Sequence, residues 1–201
     1  MTPKTPKLIL ASQSPRRREL LQSRGLEFDI QPASVEESID THQGPENNVL
    51  SIARSKAEAV HRMNPDCFVL GADTIVVLEN VIIGKPRDRE DAVRILTRLS
   101  GKDHQVMTAA VIIDPSGKHR ETVVTSTVTI KTLTQGEMMD YIQTGEPMDK
   151  AGAYAIQGQG SALVKSWSGS YSNIVGLPVD PVLDMLIQAG FPLPPAPKPS
   201  S

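Results

Sequence analysis

The chain has a single cysteine, Cys67, among its 201 residues. One thiol excludes an internal disulfide bond and a zinc site made of several cysteines. Cys67 opens the apolar run 67–70, and an unpaired cysteine in apolar sequence commonly behaves as a small buried hydrophobe. We therefore expect a buried structural thiol there rather than a nucleophile.

A basic excess is also missing, because 21 lysines and arginines stand against 23 aspartates and glutamates, and the formal net charge is −2. A broad surface for a nucleic acid polymer needs an excess of basic residues that displace counterions from the phosphates. The composition argues against such a surface. It remains compatible with a small basic pocket for one triphosphate.

Long apolar segments are absent as well. No run approaches the roughly 20 residues that span a bilayer, and the start Met1-Thr2-Pro3-Lys4 lacks the apolar stretch of a signal peptide. We expect a cytoplasmic protein without a membrane partner. The length of 201 residues, with 39% hydrophobic residues, suits one globular domain that a cleft could divide into two lobes.

Common catalytic motifs are missing too. The sequence contains no P-loop of the form Gly-x-x-x-x-Gly-Lys-Ser/Thr, and neither Ser161 nor Ser170 lies in a Gly-x-Ser-x-Gly context. The four histidines are scattered in polar surroundings. These observations argue against a P-loop enzyme and give no support for a serine hydrolase or a histidine metal cluster.

The sequence does contain alternating strand and helix patterns. Residues 8–11 are typical of a short buried strand, and Ser14 then caps a helix that Gly25 ends. The other predicted elements are a helix at 46–61, an apolar strand at 67–78 that turns at Glu79-Asn80 into a strand at 81–83, a helix capped by Asp88, strands at 106–114 and 123–131, a helix with the capping box Thr134 and Glu137, a short strand at 162–164 and a helix at 181–189. This mixture predicts an α/β protein.

Three consecutive arginines, Arg16-Arg17-Arg18, lie in the first turn of the first helix. That end of a helix already carries partial positive charge, so each cation there is unfavourable by about 0.3–1 kcal/mol. A phosphate bound at this strand–loop–helix junction would reverse the sign, and Ser12 adds a hydroxyl donor. We expect Arg16 and Arg17 to bind phosphate; the alternative is that the arginines extend into solvent.

Lys56 interrupts the apolar stripe of the second predicted helix. The stripe consists of Val49, Ile52, Ala53, Ala57 and Val60. One explanation is a snorkelling lysine, whose stem packs while its ammonium reaches water. The explanation we favour is a lysine directed into a cleft, because the same helix face must meet the sheet.

A carboxylate interrupts the third strand, where Asp73 has apolar neighbours on both sides. A buried carboxylate costs several kcal/mol unless it meets a cation or is fully hydrogen-bonded. Asp73 is therefore a candidate catalytic group, with a structural aspartate as the alternative. Lys85, in the turn Gly84-Lys85-Pro86, adds a second lysine. Together these basic groups would hold a polyphosphate, while acidic groups would bind its metal or activate water.

Ten short sequence blocks follow one another along roughly residues 8–190. They are Ala11-Ser12-Gln13-Ser14-Pro15-Arg16-Arg17-Arg18, Val35-Glu36-Glu37-Ser38, Ala53-Arg54-Ser55-Lys56-Ala57, Gly71-Ala72-Asp73-Thr74, Gly84-Lys85-Pro86, Gly145-Glu146-Pro147, Asp149-Lys150-Ala151-Gly152-Ala153-Tyr154, Ile156-Gln157-Gly158, Gly169-Ser170-Tyr171-Ser172-Asn173 and Val175-Gly176-Leu177-Pro178. Each block alone is modest evidence, and the set is specific. By these blocks, which occur in the family's order, the chain resembles the Maf-type nucleotide pyrophosphatases.

The resemblance implies an elongated mixed sheet with two lobes around a central cleft, similar to the inosine-triphosphate pyrophosphatase architecture. It implies cleavage of a nucleoside triphosphate to the monophosphate and pyrophosphate, with Mg²⁺ or Mn²⁺ as the divalent metal cofactor. Asp73 matches the proposed proton acceptor, and Glu37 the acidic residue near the metal, with Glu36 as the neighbouring alternative. The positions that contact the triphosphate in the family match Ser12, Arg16, Arg17, Lys56 and Lys85.

The resemblance also indicates which nucleobase the protein prefers. One branch of the family prefers dTTP and UTP and another prefers 7-methyl-GTP; the specificity-linked positions correspond to Arg16, Thr74 and Gln157. An amide such as that of Gln157 can both donate to and accept from a pyrimidine edge, whereas a carboxylate can only accept. The dTTP/UTP branch is therefore the better fit.

Other functions remain open from sequence. One is a nucleotide-binding regulator of septum formation, since the family is also associated with septum inhibition, and another is a 7-methyl-GTP pyrophosphatase. Action on modified pyrimidine nucleotides and a homodimeric state are left open as well. We expect a nucleotide pyrophosphatase domain at residues 1–191 and a Pro-rich, disordered tail at 192–201.

Overall fold

A computed structural model describes residues 6–194 of the chain. Its α-helices are α1 (Pro15–Gln22), α2 (Pro45–His61), α3 (Arg89–Leu99), α4 (Gln135–Gln143), α5 (Tyr171–Val175) and α6 (Val179–Gln188). Its strands are β1 (Leu8–Leu10), β2 (Asp29–Ile30), β3 (Phe68–Leu78), β4 (Val81–Ile83), β5 (Asp103–Ile113), β6 (His119–Ile130) and β7 (Val164–Ser168). Three short 3₁₀ helices, Glu146–Asp149, Ala151–Ala153 and Gly158–Leu163, lie between α4 and β7.

The strands form one mixed sheet in the order β2-β1-β3-β5-β6-β7, and β4 pairs with β3 beside this path. Strand β1 runs parallel to both β2 and β3. The pairs β3–β4 and β6–β7 are antiparallel. The α/β class and the mixed sheet expected from the sequence are therefore confirmed.

The described chain divides into two compact units. The first unit comprises residues 6–73, 109–123 and 176–194, and the second unit comprises residues 74–108 and 124–175. The chain passes from the first unit to the second within β3, between Asp73 and Thr74. The two residues of the motif Asp73-Thr74 thus belong to different units.

The first unit has a core formed by β1, the first half of β3, α1 and α6. Its buried members include Leu8, Leu10, Leu21, Phe68, Leu70, Leu177, Val182, Leu186 and Phe191. The rings of Phe68 and Phe191 meet edge to face, with centroids 5.2 Å apart. Burial of each such side chain contributes about 1.5–3 kcal/mol, so this core fixes the strand ends and the helix α1 that carry the candidate site.

Helix α2 lies directly against β3 in the first unit. A Cβ atom on Gly71 would stand 2.5 Å from the carbonyl oxygen of Ala53 and 2.7 Å from the backbone nitrogen of Ala57. Such distances are shorter than non-bonded contacts allow, so only glycine permits this approach. The predicted apolar stripe of α2 is buried at all five positions, Val49, Ile52, Ala53, Ala57 and Val60.

The second unit contains helices whose ends follow the sequence signals. The side chain of Asp88 accepts from the backbone of Asp91 at the start of α3, and Thr134 and Glu137 form the predicted capping box of α4. Glu79 and Asn80 both adopt positive φ, 52° and 63°, as the two-residue turn of the β3–β4 hairpin. These local predictions are confirmed.

Two sequence expectations differ from the structure. The strand expected at 162–164 is wrong, because residues Gly158–Leu163 form a 3₁₀ helix and the strand β7 begins at Val164. Strand β7 is an edge strand whose residues are mostly exposed and serine-rich, so it lacks the apolar signal that suggested 162–164. Cys67 is half-buried rather than fully buried.

The Pro-rich segment is only partly described. Leu193 is partly buried and packs against the core of the first unit. The rest of the expected tail, residues 195–201, lies outside the described residues. Among residues 6–194, no helix has both the length and the apolar character needed to cross a membrane.

Candidate active site

The ammonium of Lys56 lies between two carboxylates in the first unit. Its Nζ atom is 2.7 Å from Oδ1 of Asp73 and 2.6 Å from Oε1 of Glu37. Lys56 and Asp73 are buried, whereas the side chain of Glu37 is 48% exposed. Lys56 therefore does not snorkel to water. Its charge is neutralised by carboxylates that arrive from β3 and from the irregular segment before α2.

The close approach of α2 to β3 explains how this ion pair forms. Gly71 and Asp73 are two residues apart on β3, so their side-chain directions lie on the same face of the sheet. The absent side chain of Gly71 admits the backbone of α2 at Ala53 and Ala57, and Lys56 is the residue before Ala57. The glycine thus brings the lysine within hydrogen-bond distance of the aspartate.

Arg17 is a buried anchor of the same site. Its Nε donates to the carbonyl of Gly176 at 2.8 Å, and its Nη1 donates to Ser12 Oγ at 3.1 Å and to the carbonyl of Ala72 at 2.8 Å. Ala72 is the residue before Asp73. The guanidinium therefore joins the loop after β1, the middle of β3 and the start of the segment that leads to α6.

Burial lowers the pKa of Arg17 from its ordinary value, whereas the negative charges of Asp73 and Glu37 raise it. Arginine side chains keep their positive charge in proteins. Two cations, Arg17 and Lys56, thus lie near two carboxylates, Asp73 and Glu37. The cluster combines cations, which can bind phosphate, with carboxylates, which can bind a metal or accept a proton.

The N-terminus of α1 lies beside this cluster in sequence and structure. Ser14 caps the helix and accepts from the backbone nitrogen of Arg17, and its own backbone nitrogen donates to Ser12 Oγ at 3.2 Å. Arg16 is half-buried and Arg18 is exposed. Within residues 6–194, the side chain of Arg16 makes no hydrogen bond or ion pair with another residue. The predicted N-cap is confirmed, and Arg16 presents a cation at the helix end.

The two carboxylates, Glu37 and Asp73, fit a divalent metal that substrate oxygens complete. Mg²⁺ in nucleotide enzymes is commonly held by one or two carboxylates together with waters and phosphate oxygens. Within the described chain, no cluster of three or more His, Cys, Asp or Glu side chains could hold a metal without a substrate. Both Glu36 and Glu37 are exposed, but Glu36, unlike Glu37, forms no ion pair with any residue of 6–194.

In the second unit, Thr74 begins a chain of hydrogen bonds. The hydroxyl of Thr108 donates to the carbonyl of Asn173 at 3.0 Å, so the 2.9 Å contact between Thr74 and Thr108 has Thr74 as its donor. The fully buried amide of Asn173 donates to the carbonyl of Val106 and to Ser126 Oγ. The contacts orient the hydroxyl of Thr74.

Lys85 and Gln157 are exposed residues of the second unit. The carbonyl of Gly84, beside Lys85, accepts from the backbone nitrogen of Gly152 at 3.0 Å, which fixes the turn that carries the lysine. Gln157 immediately precedes the 3₁₀ helix Gly158–Leu163. Neither side chain forms a hydrogen bond or ion pair with other residues in the part of the chain that is described.

A family model for Maf-like proteins matches residues 7–189. The chain belongs to the Maf family. A protein named dTTP/UTP pyrophosphatase from Anaeromyxobacter dehalogenans is 48% identical over 192 residues, which cover 94% of this chain and 97% of the relative. Another protein of that name, from Bacillus pumilus, is 46% identical over 185 residues, which cover 92% of this chain and 97% of the relative.

A solved structure shows the same fold. A HAM1 protein from Coxiella burnetii matches with a TM-score of 0.52 and 14% sequence identity, over 92% of this chain and 100% of the other. The fold expected from the Maf resemblance is therefore confirmed. At this identity the likeness concerns the fold alone.

The structure of this Maf-family chain also contains polar groups that sequence reasoning missed. His104 is buried, and its Nε2 lies 2.7 Å from the hydroxyl of Tyr154. The view that every histidine has polar surroundings is therefore wrong for His104. Burial lowers the pKa of His104 to about 4, although Asp103 acts in the opposite direction. His104 stands two residues before the buried Val106, so the alternation of faces along a strand is the signal that could have placed His104 inside.

Proposed function

We propose that this protein hydrolyses dTTP and UTP to the nucleoside monophosphate and pyrophosphate. The observation that carries the proposal is the buried Lys56, held by Asp73 and Glu37 at hydrogen-bond distance. The names of the full-length relatives, which are 46–48% identical, support the choice of dTTP and UTP. Because nucleoside triphosphates are made and used in the cytoplasm, this activity would place the protein there.

The triphosphate would bind to the basic groups and hydroxyls that the family pattern marks. Ser12, Arg16 and Lys56 belong to the first unit, and Arg17 holds Ser12 in place. The N-terminus of α1 adds backbone N–H groups and a partial positive charge. Lys85 would contribute a further cation. These groups would neutralise the β- and γ-phosphates and make pyrophosphate a good leaving group.

Asp73 would act as general base. It would accept a proton from the attacking water, whose oxygen forms the new bond to phosphorus as the α–β anhydride breaks and pyrophosphate leaves. Glu37 and Asp73 would hold Mg²⁺ or Mn²⁺, which as a Lewis acid would offset the charge that develops on the phosphate oxygens. Lys56 would orient the carboxylate of Asp73 and contact the phosphates.

Thr74, Arg16 and Gln157 would select the base. Uracil and thymine present two carbonyls that flank an N–H, whereas cytosine replaces one carbonyl with an amino group. The amide of Gln157 can match the uracil pattern, because it both donates and accepts. A cytosine would leave polar groups unpaired, at a cost of about 1–3 kcal/mol for each group.

The test is a panel of nucleoside triphosphates assayed with Mg²⁺ on the wild type and on Gln157→Glu. We expect kcat/KM for dTTP and UTP to exceed that for CTP by at least about tenfold, with 7-methyl-GTP poor. The Glu variant should lose much of this preference, since a carboxylate offers no donor. Equal efficiency on CTP and UTP in the wild type would rule out the proposed substrate choice. Intact triphosphates throughout would favour a binding protein instead of an enzyme.

A further inference from the structure

The backbone on both sides of Gln157 is held by two side chains. Before Gln157, the N–H of Ala155 donates to the hydroxyl of Tyr141 at 3.2 Å. After it, the N–H groups of Gln159 and Gly160 donate to the two carboxylate oxygens of Glu146, each at 3.0 Å. All six residues belong to the second unit. Hydrogen bonds therefore hold the backbone of the segment at residue 155 and at residues 159–160.

Glu146 and Tyr141 also bond to each other. The hydroxyl of Tyr141 donates to Oε1 of Glu146 at 3.0 Å, so the carboxylate accepts from one side chain and two backbone groups. Hydrogen bonds to an ionised acceptor are about twice as strong as bonds between neutral groups. Tyr141 is buried in α4, which anchors the network to a regular element.

The glycines of the segment leave room for these two side chains. Gly158 has φ +65°, and a Cβ atom there would stand 2.8 Å from Oε2 of Glu146. A Cβ atom on Gly160 would stand 2.6 Å from the hydroxyl of Tyr141 and 2.4 Å from the carbonyl of Ala155. The segment therefore wraps closely around the carboxylate and the phenol. The sequence placed Gly158 in a motif, but it did not show that the glycines are needed to make room for Glu146 and Tyr141.

The side chain of Gln157 is exposed, and the described residues 6–194 supply it with no hydrogen-bond partner. The backbone from which it extends therefore sets the position from which the amide can reach a ligand. A long amide side chain on a loop recognises a base edge well only if that backbone is fixed before binding. The network of Glu146 and Tyr141 supplies this constraint.

We infer that Glu146 and Tyr141 are positioning residues that set the nucleobase preference by fixing the segment that presents Gln157. This inference rests on the proposed function, in which Gln157 reads the pyrimidine edge. When the network is weakened, the backbone at Gln157 can shift, so that the amide no longer meets the uracil edge at a fixed position and can also pair with cytosine. Discrimination between UTP and CTP should then fall, through a higher KM for UTP rather than a lower kcat.

The test compares Glu146→Gln and Tyr141→Phe with Glu137→Gln as a matched control. Glu137 is a carboxylate of the same unit that caps α4 and pairs with Lys131. We expect Glu146→Gln to lower the UTP/CTP ratio of kcat/KM by about tenfold, because its amide N–H₂ faces a backbone donor. Tyr141→Phe, which removes only a hydroxyl, should lower the ratio less. Glu137→Gln should lower the melting temperature and leave the ratio unchanged.

A double-variant cycle with Gln157→Ala distinguishes failure of this inference from failure of the role proposed for Gln157. If Glu146 acts through Gln157, the ratio for Glu146→Gln/Gln157→Ala should equal that for Gln157→Ala alone. A ratio lowered by Gln157→Ala but unchanged in both Glu146→Gln and Tyr141→Phe would overturn the inference and leave the proposed function standing. A ratio that Gln157→Ala does not change would overturn both the inference and the role of Gln157 in base selection.

Discussion

Lys56 illustrates how a single charged residue in an apolar helix face indicates a functional site. An unpaired ammonium in an apolar stripe would cost several kcal/mol, so its position required a partner. Asp73 could be identified as a candidate partner from sequence, because it too interrupts an apolar run. The contact with Glu37 could not be derived in this way, since Glu37 lies in an irregular segment without periodicity.

Glu37 and Asp73, the two carboxylates of the site, predict that activity depends on a divalent metal. Activity with UTP should vanish when bound metal is removed with excess EDTA and return with Mg²⁺ or Mn²⁺. Glu37→Gln should raise the Mg²⁺ concentration for half-maximal activity by about tenfold or more, because it removes one charged ligand.

Glu36→Gln is the matched control, since Glu36 is exposed and outside the ion-pair cluster. Its Mg²⁺ dependence should equal that of the wild type. Equal shifts in the two variants would show that neither carboxylate is specific to the metal, and full activity in EDTA would contradict the metal role altogether.

His104 predicts how stability depends on pH. Burial lowers its pKa to about 4 in the folded protein from 6.5, so the unfolded chain binds the proton more readily between these values. Stability is therefore fully present above about pH 6.5 and falls as pH decreases toward 4, by up to about 3 kcal/mol. Urea unfolding at pH 7.5 and 4.5 should show a smaller loss in His104→Gln than in the wild type, and His42→Gln, at an exposed position, should behave as the wild type. An equal loss in His104→Gln would exclude this cause.

At the scale of elements, local signals predicted helix ends well. Ser14, Asp88 and the pair Thr134–Glu137 cap their helices as expected, because a cap needs only residues close in sequence. Strand β7 was placed wrongly, because an exposed edge strand is defined by its pairing with β6 and not by its own apolar pattern. The close contact of α2 with β3 was also beyond sequence reasoning, since it joins distant segments.

The contact at Gly71 predicts a large effect from a small change. In Gly71→Ala the new methyl group would meet the backbone of Ala53, which cannot move without displacing α2. We expect a loss of about 1–3 kcal/mol in unfolding free energy and lower turnover, because Lys56 moves with its helix. Thermal unfolding and UTP hydrolysis measure the two effects.

Gly136→Ala is the control, because a Cβ atom there meets only Thr134 Oγ1 at 4.0 Å and the residue lies in α4. This variant should keep its activity and be as stable as the wild type or slightly more so. Wild-type stability and turnover in Gly71→Ala would contradict the role assigned to the close approach.

At the scale of the whole molecule, the order of motifs along the chain predicted more than single residues could. The Maf resemblance placed the α/β fold correctly, and the division into two compact units agrees with the expectation of two lobes. Ser12, Arg17, Glu37, Lys56 and Asp73 cluster in the first unit. Thr74, Lys85 and Gln157 belong to the second.

The most direct test of this account is the identity of the first products from UTP and Mg²⁺, followed by phosphorus NMR without added phosphatase. The account predicts UMP and pyrophosphate in equal amounts, with no orthophosphate. Asp73→Asn should retain the fold and form the same products at least about a hundredfold more slowly, since the amide cannot accept a proton from water. UDP and orthophosphate as first products, or normal turnover in Asp73→Asn, would contradict it.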